Sequence, residues 1–129
     1  MSRDKIVTGY LKEGRKKVEY RLALICFEDE KKYIVYCPAL DLSGYGLTET
    51  EAEKSFNTTL SEYFKYTLNK GTLAEDLKKL GWTIKKGLNK KPIPPTMETL
   101  LSRNEDFNRI FNTYDFSKRS AVVEMPLIP

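Results

Sequence analysis

The chain predicts an α+β fold: an antiparallel β-β-β-α-(α)-β arrangement, then a helical C-terminal extension that ends in a strand. Three observations carry that expectation. Two apolar runs, residues 18–28 and 33–37, are strand-like and separated by a short charged segment. One long amphipathic helical pattern follows, opened by a capping signature at Thr48 and Glu51. A second, shorter capped stripe comes next, followed by the strand-like run Trp82-Thr83-Ile84.

Taken in order, residues 1–17 are polar and basic around Ile6-Val7-Thr8, with Gly9 and Gly14 interrupting, and support a short strand at best. From Val18 to Glu28 both alternating sets are apolar, Leu22, Leu24 and Cys26 on one face and Ala23, Ile25 and Phe27 on the other. That is the pattern of a strand covered on both sides. The segment Glu28-Asp29-Glu30-Lys31-Lys32 is charged throughout and lacks the glycine a tight primed turn prefers, which predicts a loose loop of about three to five residues. Tyr33 to Cys37 is the returning strand, ended by Pro38. Leu42 to Leu47, with Gly44 and Gly46, suits a short third strand that bulges or lets another backbone approach closely.

The helix starts near Glu49. The Thr48 hydroxyl is placed to accept a first-turn N–H, and the Glu51 carboxylate to reach back to the cap's own N–H. Ala52, Phe56, Leu60, Tyr63, Phe64 and Leu68 then share one stripe at about 3.6 residues per turn, and Gly71 stops the helix. Thr72 and Glu75 repeat the signature ahead of Leu73, Leu77 and Leu80, with Gly81 as the next stop. Residues 85–95 change character, with Pro92, Pro94 and Pro95 among lysines, and read as a linker. The organisation is therefore one α+β domain over residues 1–86, with the linker and a C-terminal extension over 87–129.

In the extension, Thr96 caps a helix through Arg103, and Asn104 caps another carrying Phe107, Ile110 and Phe111. Residues 120–128 end in a strand-like run. A terminal strand needs an edge to pair with, either on its own sheet or on the sheet of a second copy. The second alternative is the favoured expectation, with Ala121, Val122, Val123 and Met125 as oligomer contacts and a homodimer or higher homo-oligomer as the product.

The order Pro38-Ala39-Leu40, Gly46-Leu47-Thr48, Glu51-Ala52 after an aromatic strand resembles the HicB antitoxin family, whose members read as an aromatic-rich strand, Pro-x-Leu, a short strand, Gly-x-Thr and Glu-Ala. The resemblance spans residues 20–84 and leaves out both ends. It implies a partial RNase H-like fold, and a function in which the protein neutralises a small RNA-cleaving HicA-like toxin by covering its active surface, with no chemistry of its own. Many HicB proteins add a C-terminal ribbon-helix-helix or helix-turn-helix. Residues 88–129 depart from both motifs, because no basic recognition helix follows a tight turn, so DNA binding is not expected.

Chemistry is sparse. The absence of histidine removes the commonest general base and metal ligand and every Ser-His or Cys-His pair. No zinc spacing, dinucleotide fingerprint or Walker sequence occurs, so neither cofactor nor metal is expected. A two-metal nuclease on an RNase H-like sheet would need converging carboxylates, starting in the first strand, and residues 20–27 contain none. Asp41 reads as a turn residue after Pro38. An enzyme is therefore not expected.

What remains are the tyrosines Tyr33, Tyr36 and Tyr45, which either fill the core or anchor a partner on an exposed sheet face. Alternation puts Tyr33 and Tyr36 on opposite faces. The competing function is a single-stranded RNA-binding sheet using these rings and the surplus lysines; the net charge of +4 is only a weak pointer, since the lysines are scattered. Cys26 and Cys37 lie in apolar strands with no leader-like segment at the start, and no apolar run is long enough for a bilayer, which reads as a reduced, cytoplasmic protein.

Overall fold

The computed structural model describes residues 5–6, 17–85 and 91–126. The elements are β1 (Lys5–Ile6), β2 (Lys17–Asp29), β3 (Lys32–Cys37), β4 (Leu42–Gly46), α1 (Glu49–Lys70), α2 (Leu73–Lys79), α3 (Met97–Arg103), α4 (Glu105–Thr113) and β5 (Phe116–Pro126). The strands form one sheet in the order β1-β5-β2-β3-β4. Its four long strands are antiparallel, and the two-residue β1 pairs parallel with β5. No helix among the described residues is long and apolar enough to cross a membrane.

Strand alternation sorts the side chains. Leu22, Leu24, Val35, Cys37, Ala121 and Val123 share the face on which α1 lies, and Ile25, Phe27, Ile34 and Tyr36 share the other. Helix α4 covers that second face, with Phe107 beside Tyr36 at a centroid distance of 6.2 Å. The doubly apolar pattern of β2 thus has its cause in two covering helices.

Helix α1 shows the caps its sequence announces. Thr48 Oγ1 accepts from Glu51 N at 3.1 Å. The Glu51 carboxylate reaches back one residue further than expected, accepting from Leu47 N at 3.0 Å. At the other end Gly71 is left-handed at φ 70°, and Gly71 N and Thr72 N donate to Leu68 O and Thr67 O. Ala52, Phe56, Leu60 and Phe64 are buried, while Tyr63 and Leu68 sit half-buried at the stripe's margin. The helix runs back along β4 so closely that a Cβ at Gly44 would lie 2.2 Å from Phe56 N, and one at Gly46 would lie 2.8 Å from Ala52 N. The two glycines are what let helix and strand touch backbone to backbone.

Four expectations are corrected. The β2–β3 connection is a two-residue turn, with Asp29 paired to Lys32 and Glu30 and Lys31 at φ 50° and 66°. The twist of the strands requires two left-handed residues there, and it prevails although neither is glycine. Trp82-Thr83-Ile84 is not a sheet strand. Thr83 forms only an isolated antiparallel bridge to Ile93, and Trp82 is a core residue whose Nε1 donates to Ala39 O at 2.8 Å. The place beside β2 is taken by β5, which matches it over eleven residue pairs, far more ladder than three residues offer. That strand starts at Phe116, earlier than expected, and residues 127–129 lie outside the described residues.

The fourth correction concerns the extension. The terminal strand folds back on its own sheet, not onto a second copy, and Ala121, Val123 and Met125 are buried in the chain's own core, with Val122 half-buried on the opposite face. Much of the supposed linker is also tied down. Pro92 is buried and its carbonyl accepts from the Tyr20 hydroxyl at 2.6 Å, while Tyr20 meets the Trp82 ring edge-on. Residues 86–90 of that linker, and residues 7–16 of the amino-terminal segment, lie outside the described residues.

Candidate functional site

The three candidate tyrosines do not converge. Tyr36 is buried; its hydroxyl donates to Asp41 Oδ1 at 2.6 Å and accepts from Asn104 Nδ2 at 2.7 Å. Burial first, and the Asp41 carboxylate second, push its phenol well above the ordinary tyrosine range. Asn104 Oδ1 in turn accepts from Phe107 N, capping α4. Tyr36 therefore joins the β3–β4 turn to the α3–α4 junction. Asp41, left-handed at φ 53°, is the turn residue of that motif. Among the described residues no group of three or more His, Cys, Asp or Glu side chains is arranged to hold a metal ion.

Tyr45 lies on the Tyr36 face of the sheet but beyond the reach of α4. It is 62% exposed, with Lys32 Nζ 5.4 Å from its ring centroid. Leu47, at the exit of β4, is 71% exposed. No periodicity marks Leu47 as a surface residue. It stands out because the fold's own core has closed without it.

Tyr33 is half-buried on the α1 face, near the hairpin end of the sheet. There α1 has only begun, and a groove of about 470 Å³ remains between it and the strands. Tyr33 and Val35 line it from the sheet, and Glu49 and Glu53 from the first turns of α1. Glu28, Asp115 and Arg119 complete its charged rim. Arg119 Nη2 lies 3.5 Å from Glu53 Oε2. Cys26 also lines the groove; burial pushes its thiol upward against the opposing pull of the Arg119 guanidinium. Cys37, fully buried, is pushed up to about 12, chiefly by burial. Sequence reading missed this groove because its walls come from three stretches, 26–35, 49–53 and 113–119, that only the fold brings together.

Comparison of the chain with protein-family models, curated proteins and solved structures finds no match to any of them.

Proposed function

We propose that the chain is a HicB-like, non-catalytic protein-binding module that neutralises a small RNA-cleaving, HicA-like toxin by occluding its active surface. One observation carries this reading. The residues that bear the HicB resemblance are spent on the fold, and two neighbours that do not bear it are left exposed. Gly46, Thr48, Glu51 and Ala52 are consumed in seating α1 on β4, and Leu40 and Pro38 are buried at the β3–β4 turn. Tyr45 and Leu47, in the same stretch, are left outside as a large aromatic and a large aliphatic side chain on one sheet margin. A paired anchor of this kind suits a protein interface, where a few large side chains carry most of the binding energy.

The decisive experiment is the solution mass by light scattering, alone and mixed with the product of an adjacent small gene. A heteromeric complex, weakened by Tyr45→Ser with Leu47→Ser, is the expected result. No complex with wild-type protein sinks the toxin reading. The competing reading, single-stranded RNA on the sheet margin, draws on the same Tyr45 ring with Lys32 over it. It requires oligonucleotide affinity that falls steeply with salt.

A further inference from the structure

The hairpin-end groove differs from the rest of the surface in charge. Its lining carries four carboxylates, Glu28, Glu49, Glu53 and Asp115, against one guanidinium, Arg119, a local net charge of −3 in a chain whose total is +4. Between the carboxylates the lining is aromatic and aliphatic, with half-buried Tyr33 above the buried Val35 and Ala52. The chain's own Arg119 already seats a guanidinium against Glu53. Among the described residues Glu28, Glu49 and Asp115 make no ion pair, so the carboxylates outnumber the cation the fold itself supplies.

We propose that this groove docks a basic segment of a partner protein, whose lysine or arginine stems lie along Tyr33 while their cationic heads meet Glu49, Glu53 and Asp115. An aliphatic stem with a charged tip is the side-chain shape that an apolar floor with an acidic rim accepts. A phosphate backbone carries the same sign of charge as the groove and is repelled. Glu49, which opens α1, lies two residues beyond Leu47 in the chain. The inference deepens the protein-binding reading, on which it rests, by fixing the charge of the partner surface: it is the kind of surface that itself binds nucleic acid, and docking would compete with that.

The test uses the full chain and a fluorescein-labelled nona-arginine peptide, read by anisotropy. Saturable binding is expected, weakened by about tenfold in Glu49→Gln with Glu53→Gln and strengthened by low salt. A charge-matched control, Glu75→Gln with Glu98→Gln, is expected to change affinity less than about twofold. Equal losses in both variants would reduce the effect to net charge and overturn the proposal, as would absent binding by the wild type. Asp115→Asn, outside any helix, replaces the double variant if circular dichroism shows that the latter has unfolded. A single-stranded oligonucleotide that displaces the peptide, and whose own binding the double variant weakens, overturns it too. The toxin reading fails separately: peptide binding without binding of the adjacent gene product leaves the groove assigned, and a toxin complex indifferent to both variants removes the groove while keeping the toxin.

Discussion

Gly44→Ala and Gly71→Ala are the same chemical change with two different causes of damage, and the structure separates their sizes. A Cβ at Gly44 would lie 2.2 Å from Phe56 N, 2.5 Å from its Cα and 2.7 Å from Ser55 C. All three are helix backbone, so no side chain can swing away. To restore an ordinary contact of 3.4 Å, α1 must retreat from β4 by about 1.2 Å. That retreat loosens Ala52, Phe56, Leu60 and Phe64 together, and a radial gap of about 1 Å forfeits roughly half of the dispersion attraction at each contact. The expected cost is about 3 kcal/mol, the upper end of the usual overpacking range. A Cβ at Gly71 meets nothing within 4 Å, but φ is 70°, so the cost is conformational and about 1 kcal/mol. Urea unfolding followed by circular dichroism measures both free energies, and in thermal unfolding Tm should fall by about 12 °C and about 4 °C. A Gly44→Ala variant no less stable than Gly71→Ala would refute the backbone contact between α1 and β4.

Other expectations follow from the same geometry. Glu30→Asn with Lys31→Gly places the preferred residues in the left-handed turn and should raise stability by about 1 kcal/mol in chemical denaturation. Asn104→Ala removes both the α4 cap and the bond to the Tyr36 hydroxyl and should cost about 2 kcal/mol; in a cycle with Tyr36→Phe the losses should be non-additive by at least about 0.5 kcal/mol. Burial raises Cys37 from its ordinary 9.0 to about 12, so the fold holds this proton more tightly than the unfolded chain does. The associated stability is complete below pH 9 and is lost as pH climbs toward 12, and Tyr36 and Tyr63, raised by burial as well, add to the loss. Tm should therefore fall between pH 8.5 and about 10.5, and less steeply in Cys37→Ala. A thiol reagent should label half-buried Cys26 in the folded protein and reach Cys37 only after unfolding.

The local part of this fold was legible because it is encoded locally. The caps at Thr48, Thr96 and Asn104, the stop at Gly71 and the stripe from Ala52 to Phe64 each depend on residues a few positions apart, and all appear in place. One local signature did not form: Thr72 precedes α2, but its side chain makes no capping hydrogen bond. The larger failures depended on competition between distant segments. Trp82-Thr83-Ile84 has strand composition, yet sheet membership is decided by which segment supplies the longest ladder to β2, and residues 116–126 win. The turn at Glu30-Lys31 failed for another reason: the twist of two well-paired strands overrides the residue preference of the two positions between them. Of the candidate site, Tyr45 was legible as a strand aromatic, whereas the acidic groove was not, since nothing in the spacing of Glu28, Glu49 and Asp115 shows that they face one another.

The position of β5 also bears on where a partner can bind. This strand lies between β1 and β2, inside the sheet, with Val123 and Met125 buried. Without it, β2 would present a long bare edge, and Leu22 and Leu24 would lose their neighbours Ala121 and Arg119. The C-terminal extension therefore completes the core of the domain that precedes it and is not a detachable arm. Ordering that strand covers the edge of β2 and also supplies Ser117 and Arg119 to the wall of the acidic groove, while Tyr45 and Leu47 stand at the opposite margin, where β4 ends. The stretch from Tyr33 to Glu53 thus supplies both the tight helix-on-strand contact and the exposed anchors beside it, and the rigidity of the first is what would hold the second in fixed geometry for a partner.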